Sequence, residues 1–337
     1  MITRADGRPA VLTFGEALVG YATEEESLRI GTRFTRFPGG ADLNVAVGLT
    51  RLGTSAAWAS VLGEDAHGDY LADVIGDLGV QVAVTRASGP TALMFKAGGA
   101  DSDPEVLQVR TATAFAEHAA AVLTPDLLSF HGLDHLHLTG ITLGISEAAC
   151  ATAFALLEAA RSHGLTVSFD PNLRLNLWPD QDKMRGLINA VASQATIVLP
   201  GLGEGALLTG RREPEAIADF YLSAGASEVV VKLGRDGAKA WDGHGAATSV
   251  PYFVEPVDTV GAGDGFAAGY LGAALSGLDL QGRVDQAAAV GALVTTRRGD
   301  LSAMPTGAEL ESFLNTQRDY RGPGQPGSRS RPSTVRR

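Results

Sequence analysis

The chain has 337 residues, 45% of them hydrophobic, which is enough for one large α/β domain or two smaller ones. Its net charge of −11 argues against nucleic acid or an anionic membrane as the main partner, and no apolar run is long enough to span a bilayer. Residues 1–10 lack the apolar core of a signal peptide, and the single cysteine, Cys150, excludes an intrachain disulfide, so the sequence favours a cytoplasmic enzyme.

The first predicted element is a short strand over residues 11–14, which is followed by the turn residue Gly15. Glu16 comes next, at the carboxyl end of the strand, where the ligands of α/β sheets bind. A surface glutamate and a ligand-binding glutamate both fit this position. Further on, Arg and Phe alternate over residues 33–37, a pattern that is typical of a strand.

A predicted helix follows the sequence Pro-Gly-Gly at residues 38–40 and ends at Gly53. Gly39 and Gly40 begin this helix, and Asn44 falls in its first turn. The amide of Asn44 can therefore point out of the N-terminal end of the helix, towards a hydroxylated ligand.

Two extended segments, residues 91–96 and 105–110, are joined by a polar link that contains Gly and Pro, which predicts a hairpin. An antiparallel hairpin does not fit a parallel wound sheet. We therefore expect it to form a separate lid, made of residues 16–37 and 90–111.

The rest of the chain alternates strand and helix patterns. Further strands are predicted over residues 57–61, 80–85, 135–138, 165–169 and 196–199, and helices over residues 146–163, 267–275 and 287–298. This alternation predicts a mostly parallel sheet with helices on both faces.

Three histidines, His131, His135 and His137, raise the question of a metal site. Residues 135–138 alternate as in a strand, and no carboxylate or cysteine spacing completes a zinc set. A zinc site is therefore not predicted.

Two loops follow predicted strands at the ligand-binding edge. Residues 170–178, Asp-Pro-Asn-Leu-Arg-Leu-Asn-Leu-Trp, place Arg174 there, either as a surface charge or as a ligand contact. Residues 201–206 match the Gly-x-Gly-x-x-Ala pattern of dinucleotide-binding loops. This match is weak, because it rests on three positions and lies in mid-chain rather than at the head of a βαβ unit.

The stretch at residues 258–266, Asp-Thr-Val-Gly-Ala-Gly-Asp-Gly-Phe, runs into the predicted helix at residues 267–275. Small residues from Gly261 to Gly263 let the backbone turn and bring several N–H groups together, and the helix dipole adds positive potential. The combination suits a phosphate in transfer. Asp264 would repel a resting phosphate, so its predicted role is to deprotonate an attacking hydroxyl, with helix capping as the alternative.

Two of these stretches resemble the signatures of the PfkB, or ribokinase-like, carbohydrate kinases. Residues 258–266 resemble the second signature, Asp-Thr-x-Gly-Ala-Gly-Asp-x-Phe, and residues 39–46 resemble the first, Gly-Gly-x-x-x-Asn-x-Ala. The resemblance implies a ribokinase-like α/β fold, with a mostly parallel central sheet, helices on both faces and a small β lid. One kinase domain would cover residues 1–315, and the Gly-, Pro- and Arg-rich tail at residues 321–337 is expected to be disordered.

The resemblance also implies ATP-dependent phosphorylation of a sugar hydroxyl, with Mg²⁺ as a bridge between the phosphates. Asp264 would be the base, and Gly261, Ala262 and Gly263 would form the anion hole. The nucleotide contacts that it implies are Lys232, Gly234, Gly237, Gly261, Gly263 and Gly291.

Further residues are implied around the sugar and the metal. The sugar contacts are Glu16, Gly39, Gly40, Asn44, Arg110, Arg174, Asp264 and Asp300. Glu204 would lie near the magnesium, although Gly201 stands where the family has Asn.

The loop at residues 170–178 resembles that of 2-keto-3-deoxygluconate kinases, in which the arginine meets the substrate. Arg174, together with Arg110 at the end of the lid hairpin, therefore favours a keto-deoxy sugar acid. A fructokinase-like or other neutral sugar kinase and a 5-dehydro-2-deoxygluconate kinase are the alternatives within the family. A non-catalytic sugar-binding protein on the same fold and a nicotinamide dehydrogenase are the alternatives from other classes. Family members often dimerise through the lid, so a homodimer is a further expectation.

Overall fold

A computed structural model describes residues 10–98, 105–130 and 132–321 of the chain. Within these residues the strands are β1 (Ala10–Phe14), β2 (Leu18–Thr23), β3 (Thr35–Gly39), β4 (Ser55–Gly63), β5 (Gln81–Ala87), β6 (Ala92–Ala97), β7 (Glu105–Val109), β8 (His135–Thr139), β9 (Thr166–Asp170), β10 (Ile197–Val198), β11 (Glu228–Lys232), β12 (Ala238–Asp242) and β13 (Ala246–Thr248).

The helices of the same residues are α1 (Ala41–Arg51), α2 (Ala66–Asp77), α3 (Ala114–His118), α4 (Pro125–Leu128), α5 (Gly140–Ile145), α6 (Glu147–Ser162), α7 (Gln181–Ala192), α8 (Leu202–Thr209), α9 (Pro214–Ala224), α10 (Ala262–Leu275), α11 (Leu280–Val294), α12 (Asp300–Ala303) and α13 (Gly307–Arg321). Short 3₁₀ turns lie at Ala119–Val122, Leu175–Leu177 and Gly234–Asp236.

The large sheet has the strand order β13-β12-β11-β10-β9-β8-β1-β4-β5. Neighbouring strands from β11 to β5 are parallel, whereas β12 and β13 are antiparallel at one edge. Residues 56–63 of β4 are all buried, as expected for a parallel strand that is covered on both faces. The predicted mostly parallel sheet is confirmed.

The two faces of the large sheet carry separate apolar layers, because successive side chains of a strand point to opposite faces. Leu12 points to one face and belongs to a layer that includes Leu156 of α6. Val11 points to the other face, where Leu43 of α1 and Leu271 of α10 pack. The helices that carry the first and second signatures, α1 and α10, therefore lie side by side on one face.

A second, smaller sheet has the strand order β3-β2-β6-β7, in which β6 and β7 form the predicted hairpin. Strand β2 was not predicted, because Gly20 weakens its strand pattern. A Cβ at Gly20 would lie 2.2 Å from the Phe37 ring, so a larger residue there would displace that ring. The alternation over residues 33–37 predicted a start for β3 that is two residues too early. Thr35 is the first residue that pairs with β2, and Arg33 and Phe34 lie before it.

Helix α10 begins at Ala262, earlier than the predicted residue 267, because the glycines of its first turn resemble a loop in the sequence. Gly261 alone forms the sharp turn, with φ of 77° in the left-handed region. Ala262 and Gly263, predicted as part of that turn, are already helical. The predicted helix at residues 287–298 was also displaced, since α11 occupies Leu280–Val294.

Several predictions concern the ends of the described residues. His131 and residues 322–337 lie outside them, and Arg321, the first residue of the predicted tail, ends α13. His135 and His137 lie in β8, as predicted. No helix among the described residues has the length and apolarity that crossing a membrane requires.

The packing of α10 on α11 depends on Gly269, because a Cβ there would lie 3.0 Å from Ala287 Cα and from Val290 Cβ. We expect Gly269→Ala to lower the free energy of unfolding by about 1–3 kcal/mol through overpacking. Gly76, inside α2, has open space around it, so Gly76→Ala should instead raise that free energy by about 0.5–1 kcal/mol. Urea unfolding of both variants measures the difference, and equal effects would contradict the close approach of the two helices.

Candidate active site

Most predicted site residues converge where β1, β8 and β9 end at their carboxyl edge. Asn44 comes from the first turns of α1 and Asp264 from the first turn of α10. Asp170 is the last residue of β9. The edge at which parallel strands end thus meets two helix N-termini, a common setting for anionic ligands in α/β folds.

Asp264 is buried, with 9% of its surface exposed, and both carboxylate oxygens accept hydrogen bonds from side-chain amides. Asn44 Nδ2 donates to Oδ2 at 2.7 Å, and Asn172 Nδ2 donates to Oδ1 at 3.1 Å. The helix-capping alternative for Asp264 is wrong, because Gly261 is the residue at the N-cap. Sequence reasoning expected the Asn44 amide to face a ligand, whereas its N–H group faces the carboxylate of Asp264.

Asn172 is a site residue that the sequence reasoning missed. Its backbone lies in the left-handed region with φ of 38°, and its N–H donates to Asp170 Oδ1 at 3.1 Å. Asparagine tolerates this conformation better than most residues do. The signal in the sequence was an Asn directly after an Asp-Pro pair at the end of a strand.

The pKa of Asp264 is raised to about 6, mainly because burial disfavours the charged form. The hydrogen bond from Asn44 opposes this rise, as do the positive charges of Arg174 and Lys232, while Asp170 adds to it. At neutral pH the group is therefore ionised, with a pKa close to the working pH. These are the properties of an efficient general base.

Lys232, at the end of β11, provides the cation beside this carboxylate. Its Nζ lies 2.5 Å from Asp170 Oδ2, and it lies 3.9 Å from the position of a Cβ on Gly263. Burial pushes the pKa of Lys232 down, but the carboxylates of Asp170, Glu204 and Asp264 raise it above its usual value. Lys232 therefore remains an ammonium group against the N-terminal turn of α10.

The glycines predicted as nucleotide contacts are explained by two structural constraints, a positive φ angle and close packing. Gly234 and Gly237 have φ of 61° and 87°, and a Cβ at Gly237 would lie 2.6 Å from Ser249 Oγ. Gly291 of α11 faces α10 instead, since a Cβ there would lie 3.2 Å from the carbonyl oxygen of Ala262. Gly291 thus lets α11 approach the turn that precedes Asp264.

Glu204, the predicted neighbour of magnesium, has both carboxylate oxygens engaged by the backbone. Oε2 accepts from the N–H of Gly201 at 2.7 Å, and Oε1 accepts from the N–H of Leu173 at 2.7 Å. The side chain therefore ties the start of α8 to the loop that carries Arg174. Within the described residues, no group of three His, Cys, Asp or Glu side chains could hold a metal ion.

Glu16 and Arg110, both predicted sugar contacts, form a buried ion pair with each other. Arg110 Nε lies 2.7 Å from Glu16 Oε2, and the two side chains are only 9% and 1% exposed. Burial raises the pKa of Glu16, against the opposing charge of Arg110 and a hydrogen bond from Thr113. The positive charge of Arg110 is thus already balanced before any substrate binds.

Arg174 is exposed, and its Nη1 donates to the carbonyl oxygen of Leu173 at 3.0 Å. It forms no ion pair with another part of the chain that the structure describes. Its charge nevertheless acts on Asp264. Arg174 is therefore a cation at the site that an anionic ligand can still pair.

The remaining predicted sugar contacts are two glycines and Asp300. Gly39 ends β3 opposite Leu18. Gly40 precedes α1 with φ of 147°, and a Cβ on it would lie 2.5 Å from the carbonyl oxygen of Glu16. Asp300 is the first residue of α12. These glycines bring the N-terminal end of α1 against the loop after β1.

Two ion pairs connect the small sheet to the segments around α10. Lys96 Nζ of β6 lies 3.5 Å from Asp258 Oδ2, in the stretch that leads into Gly261. Glu24, just after β2, pairs with Arg298, between α11 and α12. The small sheet therefore contacts both the stretch that leads into α10 and the segment between α11 and α12.

Known proteins provide an independent comparison with this geometry. The sequence profile of the pfkB family carbohydrate kinases matches residues 9–307. The 2-dehydro-3-deoxygluconokinase of Bacillus subtilis (strain 168) is 39% identical over 91% of this chain and 96% of its own length.

Solved structures agree with the family match. The PfkB protein from Polaromonas sp. JS666 is 37% identical, with a TM-score of 0.82 over 90% of this chain and 99% of that one. A fructokinase from Xylella fastidiosa, solved with bound ATP, is 26% identical, with a TM-score of 0.81 over 91% of this chain and 98% of that one. The ribokinase-like fold expected from the two signatures is confirmed, and the chain belongs to the pfkB family of carbohydrate kinases.

Proposed function

We propose that this protein transfers the γ-phosphoryl group of ATP to a hydroxyl of a keto-deoxy sugar acid, with 2-keto-3-deoxygluconate as the leading substrate. The observation that carries the proposal is the Asp264 carboxylate, which is buried at the N-terminal turn of α10 and held by two amides beside the Lys232 ammonium. A buried carboxylate at a phosphate-binding helix end serves a hydroxyl nucleophile better than a resting anion.

In this mechanism Asp264 accepts the proton of the attacking sugar hydroxyl as its oxygen forms a bond to the γ-phosphorus. The bond between the γ-phosphorus and the bridging oxygen breaks at the same time, and ADP leaves. The N–H groups of Gly261 and Gly263 and the dipole of α10 stabilise the charge on the transferred group, whereas the N–H group of Ala262 donates to the carbonyl oxygen of Thr259 at 3.4 Å. Lys232, held by Asp170, adds a positive charge at the same turn.

The residues around the site fit ATP better than they fit a protein-bound magnesium ion. The turn before α10 and Lys232 form an anion site, and Gly234, which has open space around it, follows Lys232 by two residues. Glu204 does not fit a direct metal ligand, since both of its oxygens accept backbone N–H groups. Mg²⁺ is accordingly proposed to arrive on the ATP phosphates, and no step of the mechanism is assigned to it.

The charge of the site favours an acidic sugar through Arg174. Glu16 neutralises Arg110, whereas Arg174 is exposed and can pair with a substrate carboxylate. The Bacillus subtilis relative, a 2-dehydro-3-deoxygluconokinase, supports the same substrate class.

A neutral sugar such as fructose is the second candidate. The Glu16–Arg110 pair favours it, because a balanced charge on the lid side of the site needs no anion. Fructokinase-1 from Zea mays, 34% identical over 92% of this chain and 99% of its own length, supports this candidate.

The pH dependence of kcat/KM should report the pKa of Asp264 in the free enzyme. Because the carboxylate must be ionised to accept a proton, kcat/KM should be constant well above pH 6 and fall about tenfold per pH unit below about pH 6. Asp264→Asn should lower kcat by about 10²–10⁴-fold while ATP still binds, as measured by calorimetry. Asp182→Asn, an exposed position on α7, is the control and should behave as wild type. Turnover of Asp264→Asn close to that of the control would remove Asp264 from the role of base.

Arg174→Ala should separate the two substrate candidates. Loss of the cation should lower kcat/KM for 2-keto-3-deoxygluconate by the equivalent of about 1.5–3 kcal/mol, the usual contribution of a hydrogen bond to a charged group. Turnover of fructose should change little, since a neutral sugar has no carboxylate to pair. Arg211→Ala, an exposed arginine outside the site, is the matched control. Equal losses on both substrates would contradict the sugar-acid assignment.

A homodimer through the small sheet is also proposed, from the exposed apolar side chains of β7. Val106, Leu107 and Val109 are 47%, 53% and 41% exposed on an edge strand, a surface that a second copy could cover. Leu107→Asp should therefore convert a dimer to a monomer in light scattering. Val82→Asp, at the far edge of the large sheet, should not. A monomeric wild type, or dissociation by both variants, would contradict this interface.

The enzyme is further proposed to act in the cytoplasm, on the basis of its composition.

A further inference from the structure

Asp42 is a buried acid that the proposed mechanism does not use. It is the second residue of α1, two positions before Asn44, and only 1% of its surface is exposed. Its Oδ2 accepts hydrogen bonds from Thr139 Oγ1 at 2.9 Å and from Thr142 Oγ1 at 3.3 Å. The first turn of α1 is thus attached to the end of β8 and to α5 through a single carboxyl group.

The chain leaves space for this carboxyl group at Gly15. A Cβ on Gly15 would lie 2.0 Å from Asp42 Oδ2 and 2.5 Å from its Cγ, so any larger residue would displace the side chain. Gly15 is itself held, because Trp58 Nε1 donates to its carbonyl oxygen at 3.2 Å. Three segments of the large sheet, β1, β4 and β8, therefore fix where the Asp42 carboxyl group lies.

This anchor brings no negative charge to the site at neutral pH. Burial raises the pKa of Asp42 to about 8, and the charge of Asp264 adds to the rise, while the Thr139 and Thr142 hydroxyls oppose it. Its Oδ2 accepts both hydroxyl groups, and its Oδ1 has no hydrogen-bond partner within the described residues. A neutral acid can thus hold α1 without repelling the base.

We infer that Asp42 is a positioning residue for the phosphoryl transfer. By fixing the first turn of α1 against β8, it holds Asn44 where Nδ2 donates to Asp264 Oδ2, and so it sets the basicity of the base. This inference rests on the proposed function, in which Asp264 takes the proton of the sugar hydroxyl.

The pH dependence of kcat/KM tests this role with Asp42→Ala and Asp42→Asn. In Asp42→Ala the Asn44 amide loses its support, and the hydrogen bond that lowers the pKa of Asp264 weakens. The acidic limb of the profile, the range over which kcat/KM falls as the pH is lowered, should therefore move up by about one pH unit, with the plateau of kcat/KM down about tenfold. Asp42→Asn keeps an oxygen for the two threonines and has an N–H group in place of the acid proton. The acidic limb of its pH profile should therefore lie at the same pH as in wild type.

The direction of the shift separates positioning from a direct charge effect. If Asp42 acted as an anion, its removal would lower the pKa of Asp264 and move the limb down. The other charges that act on Asp264, those of Asp170, Arg174 and Lys232, are unchanged in these variants.

Val47→Ala is the matched control, since Val47 is a buried apolar residue of the same helix outside the site. This variant should have a lower melting temperature than wild type, and the acidic limb of its pH profile should lie at the wild-type pH. If Asp42→Ala does not fold, Thr139→Val, which removes the shorter of the two hydrogen bonds, should move the limb upward in its place. An unshifted limb in the folded variant, or a shift in Asp42→Asn as large as in Asp42→Ala, would overturn the inference. Neither result would affect the role of Asp264, which the Asp264→Asn variant tests alone.

Discussion

Burial of the Asp264 carboxylate is the constraint on which the site depends. A charged carboxylate that leaves water is stable only where hydrogen bonds and opposite charges replace its hydration. Here Asn44 and Asn172 supply the hydrogen bonds, and Lys232 and Arg174 supply positive charge. These partners come from three separate segments, and the parallel sheet brings them together because its strands end at one edge.

The charges of the site are largely balanced in pairs before substrate binds. Lys232 pairs with Asp170, and Arg110 pairs with Glu16 on the small sheet side. The positive potential that remains comes from the N-terminal turn of α10 and from Arg174. An enzyme that must receive both a polyphosphate and a sugar acid needs positive potential at these two places, and the arrangement therefore agrees with the proposed substrates.

The sequence was most informative where one contiguous stretch contains both the backbone geometry and the functional side chain. The turn at Gly261 and the carboxylate of Asp264 are three residues apart, so their relation follows from local structure. The pairing of Glu16 with Arg110 was not predictable, because it joins the loop after β1 to the end of β7. The contact of Glu204 with Leu173 was not predictable for a similar reason, since Leu173 lies in a loop whose path depends on tertiary packing. Strand β2 escaped prediction because the Phe37 ring, and not a local pattern, explains Gly20.

Release of ADP by the wild-type protein with ATP and Mg²⁺ measures its substrate preference directly. The panel should hold 2-keto-3-deoxygluconate, its neutral counterpart without the carboxylate, fructose and ribose at equal concentrations. We expect the highest kcat/KM for 2-keto-3-deoxygluconate, with the neutral counterpart at least tenfold lower because it offers Arg174 no anion to pair. Equal or faster turnover of fructose would contradict the sugar-acid assignment.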